Sequence, residues 1–188
     1  MKLASIIAVF ALTASAGAAS AASTAGLAIN DPGLKAAKTL KVTSPKIPSG
    51  GAIPDQYSSY GQSVSPPLSW GKGPYGTRSF AIVLEDPDAP MPTPFVHWVA
   101  WNIPATVDHA EEGAAPAGAQ EGKLMFVNKT GYFGPRPPDG PAHHYHFQVF
   151  ALDRPLDLKQ GADRAALVAA MKGHVLASGE LVATYQKK

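Results

Sequence analysis

The sequence predicts a mostly β fold: an antiparallel β-sandwich with a C-terminal helix and long Pro/Gly-rich loops. Three observations carry this expectation. The 188 residues include 18 glycines and 18 prolines, which break a chain into short strands and turns. Several short runs are rich in β-branched and aromatic residues. One late stretch alone has a helical apolar stripe with a start and a stop.

Taken in order, residues 1–22 have the form of a secretory signal peptide. Lys2 gives a positive start, 3–12 is an apolar run, and Ala19-Ser20-Ala21 fits a small-residue cleavage site. That run is too short for a bilayer, which needs about 20 apolar residues, and no spanning run follows, so no membrane span is expected. Residues 23–38 are small and polar without a period, and read as a flexible N-terminal lead. Residues 39–188 are then one domain, long enough to bury a core.

Within that domain 39–42 alternates weakly, and 79–84 is an apolar run after a turn at Gly76. The stretch 96–103 is apolar on both faces, as a buried strand would be. Residues 144–152 and 181–185 complete the strand signals. Asp163 can cap a helix whose stripe is Leu167, Val168 and Met171, with Gly173 as its stop.

Composition excludes several functions. Sixteen basic residues against 14 acidic leave a net charge of +2, too little for a binder of nucleic-acid backbones. Zero cysteines exclude disulfides, thiolate-ligated metals and thiol nucleophiles. No G-x-S-x-G elbow, P-loop, post-strand G-x-G-x-x-G or H-E-x-x-H motif occurs, and no cofactor or metal is expected.

What remains is a clustering of Asp, His and Tyr beside proline turns. Phe80, Ile82 and Leu84 share one strand face, and Asp86 continues it into Asp86-Pro87-Asp88-Ala89-Pro90. Alone, such a turn more often marks solvated loop. His97 shares a face with Val99, Trp101 and Ile103 by simple alternation, and a buried imidazole needs a partner. Gly134-Pro135-Arg136-Pro137-Pro138-Asp139-Gly140 then leads to His143-His144-Tyr145-His146. Alternation sets His143, Tyr145 and Phe147 on one face. His144 and His146 lie opposite, where a polar outer face is a better reading than a two-ligand metal site.

These segments in this order resemble the phosphatidylethanolamine-binding protein family, which includes Raf kinase inhibitor proteins. The family's first region is a D-P-D-A-P turn before a strand with a histidine, here Asp86–Pro90 and His97-Trp98-Val99-Ala100-Trp101-Asn102. Its second is a G-x-x-P-P-x-G segment before H-R-Y, here Gly134–Gly140 and His143-His144-Tyr145. Ser65-Pro66-Pro67-Leu68-Ser69-Trp70 also matches, and Gly173-His174-Val175-Leu176 before Gly179 is similar to the bacterial, Raf kinase inhibitor-like branch. The resemblance runs from about residue 41 to 185. His144 departs from the usual Arg, Arg136 stands where some members have Gly, and the loop from Asp88 to His97 is short.

The resemblance implies two antiparallel sheets with a C-terminal helix and a pocket for phosphate or phosphorylated head groups. Asp86, Asp88, His97, His143 and Tyr145 would line it, with Gly134, Arg136 and Pro137 in the closing wall. His97, His143, the Tyr145 hydroxyl and amides near Gly134 are the expected donors. Asp86 or Asp88 would orient a histidine and favour its charged form, or meet the ammonium of a zwitterion. The family suggests cis bonds at Ala89–Pro90, with Thr93–Pro94 a second candidate. It also suggests modulation or inhibition of a protein partner, and dimers occur among bacterial relatives. The expected protein is therefore a periplasmic or secreted binding protein, not an enzyme. The alternative is a hydrolase that uses the Asp/His/Tyr group for acid–base work, although no activated nucleophile is visible.

Overall fold

The computed structural model describes residues 24–125 and 129–188; the expected signal peptide lies outside them. Strands β1 (Lys38–Thr39), β2 (Leu68–Ser69), β3 (Ser79–Asp86), β4 (Phe95–Pro104), β5 (His109–Ala110), β6 (Gln120–Glu121), β7 (His143–Leu152) and β8 (Val175–Tyr185) make a mostly β fold. Helix α1 (Arg164–Met171) lies between β7 and β8. The large sheet has the order β1-β8-β7-β3-β4-β6, and β2 and β5 form a small second sheet. Its long strands pair antiparallel as expected, but the short β1 runs parallel to β8.

Strand β3 is central, and every one of its residues is buried. On one face Phe80, Ile82 and Leu84 pack with Phe147, Val149 and Trp98 beneath Leu68, Trp70, Ile47 and Ile53. On the other, Ala81 and Val83 join Val99, Trp101, Phe150 and Leu152 beneath the α1 residues Leu167, Val168 and Met171. Each large apolar side chain so buried contributes about 1.5–3 kcal/mol. The helix begins as its sequence signals: the Asp163 side chain accepts from Ala166 N at 2.9 Å. Gly173 follows its last turn at φ +79°, a conformation that favours glycine.

Strand β4 departs from simple alternation in two places. Pairing with β3 shifts between Phe80 and Ile82, opposite Ile103 and Ala100, and again between Leu84 and Glu85, opposite Trp98 and Val96. The first irregularity contains Asn102 at φ +57°, whose amide oxygen and nitrogen both bond the Leu156 backbone. The second leaves His97 as the extra residue, so it does not share the face of Val99 and Trp101. It turns to the Tyr145 side, with ring centroids 5.2 Å apart. Alternation alone cannot foresee this, because a bulge resets the period.

The stretch read as a flexible lead is part of the fold. Three 3-10 turns at Thr24–Gly26, Ala28–Asn30 and Pro32–Leu34 bury Leu27, Ala28 and Leu34, the last two against the helix-side core. One anchor of this segment is Glu85, fully buried on β3. Its carboxylate accepts from Ala28 N at 2.8 Å, Gln148 Nε2 at 2.7 Å and Arg164 Nε at 2.9 Å. Arg164 Nη2 also donates to Gly26 O. A buried carboxylate needs such donors, and the N-terminal segment supplies one.

Candidate functional site

A cavity of about 310 Å³ opens where β3 ends, β4 begins and the Gly/Pro-rich loop enters β7. Asp86, His97, His143, Arg136 and Pro137 line it among the residues singled out from the sequence. Asp88, Gly134 and Tyr145 do not. Alternating β residues bring Asp86 and His143 to neighbouring strand ends, and the bulge in β4 adds His97.

Asp86 is the organising residue. Its Oδ1 accepts from Asp88 N at 2.8 Å and Ala89 N at 3.1 Å, which ties the D-P-D-A-P turn to its own first residue. Its Oδ2 accepts from His143 Nδ1 at 2.8 Å. Both side chains are buried. The bond to Nδ1 leaves His143 Nε2 as the nitrogen available to the cavity.

Asp88 serves the turn from outside. Its Oδ2 accepts from both N and Nδ1 of the exposed His144, at 2.7 and 2.8 Å. His144, in place of the usual Arg, thus staples the turn to β7. His146 is not on a polar outer face: it is buried, and its Nδ1 bonds Glu180 Oε2 at 2.8 Å.

The His97 ring stacks on Phe133, and its Nδ1 bonds the Phe133 carbonyl at 2.8 Å. Burial pushes its pKa down to about 4, against weaker upward pulls from that carbonyl and from Asp86. Tyr145 lies beneath His97, fully buried, and its hydroxyl makes no hydrogen bond of good geometry among the described residues, although Asp86 and the Arg136 backbone act on it. Burial first, and the nearby Asp86 charge second, push its phenol pKa far up.

Gly134 supports the wall rather than donating to an occupant. Its N–H goes to Ser63 Oγ at 3.0 Å. A Cβ there would sit 2.4 Å from Tyr57 O, so glycine is required by close backbone approach. Beyond it, Pro137 O accepts from Tyr60 Oη, and Arg136 reaches the cavity from an exposed position. Among the described residues every peptide bond is trans, so the cis bonds expected at Ala89–Pro90 and Thr93–Pro94 do not occur.

Sequence reasoning missed the apolar walls: Met91, Phe95, Phe133, Leu124 and Met125. The signals were slight. Phe95 precedes His97 by two residues and Phe133 precedes Gly134 by one. Met125 carries none, and its Sδ accepts from Val96 N at 3.3 Å through chain pairing far from its own segment.

Known proteins bear on this geometry. The family model described as phosphatidylethanolamine-binding protein matches residues 43–186. A UPF0098 protein of Pyrococcus horikoshii is 43% identical over 143 residues, covering 72% of this chain and 71% of that protein. The crystal structure of the phosphatidylethanolamine-binding protein homologue CT736 from Chlamydia trachomatis matches with TM-score 0.75 and 35% identity, covering 80% of this chain and 99% of that one. Escherichia coli YbcL, described as a member of the mammalian PEBP family, matches with TM-score 0.73 and 34% identity, over 79% and 99% of the two chains. With two solved relatives sharing its architecture and a family model spanning its cavity-forming segments, this chain belongs to the phosphatidylethanolamine-binding protein family.

Proposed function

We propose that the cavity binds small oxyanions, phosphate or phosphorylated head groups, in an exported protein. One observation carries the reading: the acidic group of the site is spent internally. Asp86 accepts from two turn amides and from His143 Nδ1, so its charge orients an imidazole and is partly offset by three donors. His143 Nε2 donates to an anion once the ring carries both protons. Arg136, which makes no ion pair with a described carboxylate, supplies a guanidinium at the mouth. Such a fork suits phosphate oxygens.

Asp86, the carboxylate of the cavity, is held by three internal donors, which favours a positioning role over nucleophilic attack. Export is supported by the sequence of residues 1–22, and modulation of a protein partner by family membership. Calorimetric titration of the purified protein with phosphate and phosphoethanolamine tests the reading. We expect saturable binding of at least phosphate, lost in His143→Ala and weakened in Arg136→Gln. Absence of binding in the folded unmodified protein rejects it. Fractionation of cells, with N-terminal sequencing of the mature chain, checks export.

A further inference from the structure

His97 narrows which oxyanion fits. A carbonyl oxygen only accepts, so the 2.8 Å contact with Phe133 O places a proton on Nδ1. The ring nitrogen left for an occupant is Nε2, on a residue that lines the cavity. The residue is 3% exposed, and the hydrogen-bonding groups acting on it are neutral backbone, Phe133 O at 2.8 Å and, more weakly, the backbone of Gly134. No contacting carboxylate compensates a second proton there. The titratable groups facing the ring are Asp86, His143 and Tyr145. Asp86 is already shared between two amides and His143, and Tyr145 carries its own proton. Burial therefore outweighs them and keeps the ring neutral near neutral pH. A neutral ring protonated at Nδ1 presents a lone pair at Nε2, which repels a bare oxyanion oxygen and accepts from a hydroxyl.

We propose that the cavity selects oxyanions that carry a proton, such as hydrogen phosphate, and rejects oxyanions of equal charge and shape that carry none, such as sulfate. This rests on the oxyanion reading above and narrows its ligand class to oxyanions that keep a hydroxyl near neutral pH, with inorganic phosphate ahead of phosphomonoesters, whose second proton is lost at about pH 6. The Arg136 guanidinium, a donor only, contacts any oxyanion and does not discriminate. Discrimination falls to His97. Opposite an unprotonated oxygen its acceptor stays unpaired, and sites built around a hydrogen bond reject analogues that lack it.

The test is titration of the full chain near neutral pH with phosphate, arsenate, sulfate and selenate. The first two keep at least one hydroxyl and the last two keep none. We expect phosphate and arsenate to bind at least about tenfold tighter than sulfate and selenate. His97→Phe should bring that ratio close to one through loss of phosphate affinity. Arg136→Gln should weaken all four anions alike and leave the ratio unchanged. Equal affinity of the unmodified chain for phosphate and sulfate, or a ratio retained in His97→Phe, overturns proton selection while oxyanion binding stands. Failure of all four anions to bind overturns both readings. The ratio in the unmodified chain decides the matter even where His97→Phe does not fold.

Discussion

Asp86 Oδ2 and His143 Nδ1 meet at 2.8 Å across 57 residues of sequence, both buried, at the ends of adjacent strands. The same carboxylate holds the turn that follows it. Site and turn therefore depend on one side chain. Asp86→Ala leaves the Asp88 and Ala89 amides and the His143 ring without their acceptor. It should cost about 2–4 kcal/mol of stability, read as a lower urea midpoint, and should abolish phosphate binding. A midpoint within error of the unmodified protein would contradict this role.

His97 sets an acid limit on stability. Its folded pKa is about 4, below the ordinary histidine value of 6.5. Above pH 6.5 both folded and unfolded rings are neutral and the group contributes no pH dependence. As pH falls from 6.5 to 4 the unfolded chain takes up the proton first, so stability falls across that window. The full loss is on the order of 3 kcal/mol. His97→Gln, which does not titrate, should flatten this part of the stability profile measured by urea unfolding at successive pH values. An unchanged slope would show that His97 is not its source.

Arg164 is the charged partner of buried Glu85. Arg164→Met leaves that carboxylate with only the Ala28 amide and the Gln148 amide group. The expected cost is about 2–4 kcal/mol, in the lower part of the range for breaking a buried pair because Arg164 is partly exposed. Since the guanidinium also holds Gly26 O, hydrogen exchange at Ala28 should quicken in the variant. Exchange that stays slow there would mean the segment 24–34 is held by its apolar contacts alone.

Tyr145→Phe should behave unlike the other site substitutions. The hydroxyl it removes is buried and makes no well-formed hydrogen bond among the described residues, and loss of such an unsatisfied polar atom is neutral or stabilising, by up to about 1 kcal/mol. Thermal unfolding should therefore show an equal or higher midpoint. A drop beyond about 1 kcal/mol would reveal a hydrogen bond at that oxygen.

Much of this was legible in the chain. The β3 run, the continuation of its face into Asp86, the cap and stop of α1, and the common face of His143, Tyr145 and Phe147 all follow from local periodicity and turn chemistry. What escaped needed partners distant in sequence. The lead is tied down by groups far along the chain, Glu85 some 57 residues later and Gln148, which accept from its Ala28 and Ile29 amides. His97 changes face because of an extra residue that alternation does not mark. Asp88 and Gly134 carry motif positions yet serve the scaffold, with bonds to His144 and Ser63 that no spacing rule could assign. Apolar walls such as Met125 come from packing that composition does not encode.

The irregular pairing at His97 has a cost for anyone seeking a sturdier protein. Removing one residue from this part of β4 would restore regular pairing with the end of β3, and screens for heat resistance would favour such a deletion. The resulting sheet would hold together better while its imidazole was carried off or turned to the opposite side. Recognition and rigidity pull against each other at this single position.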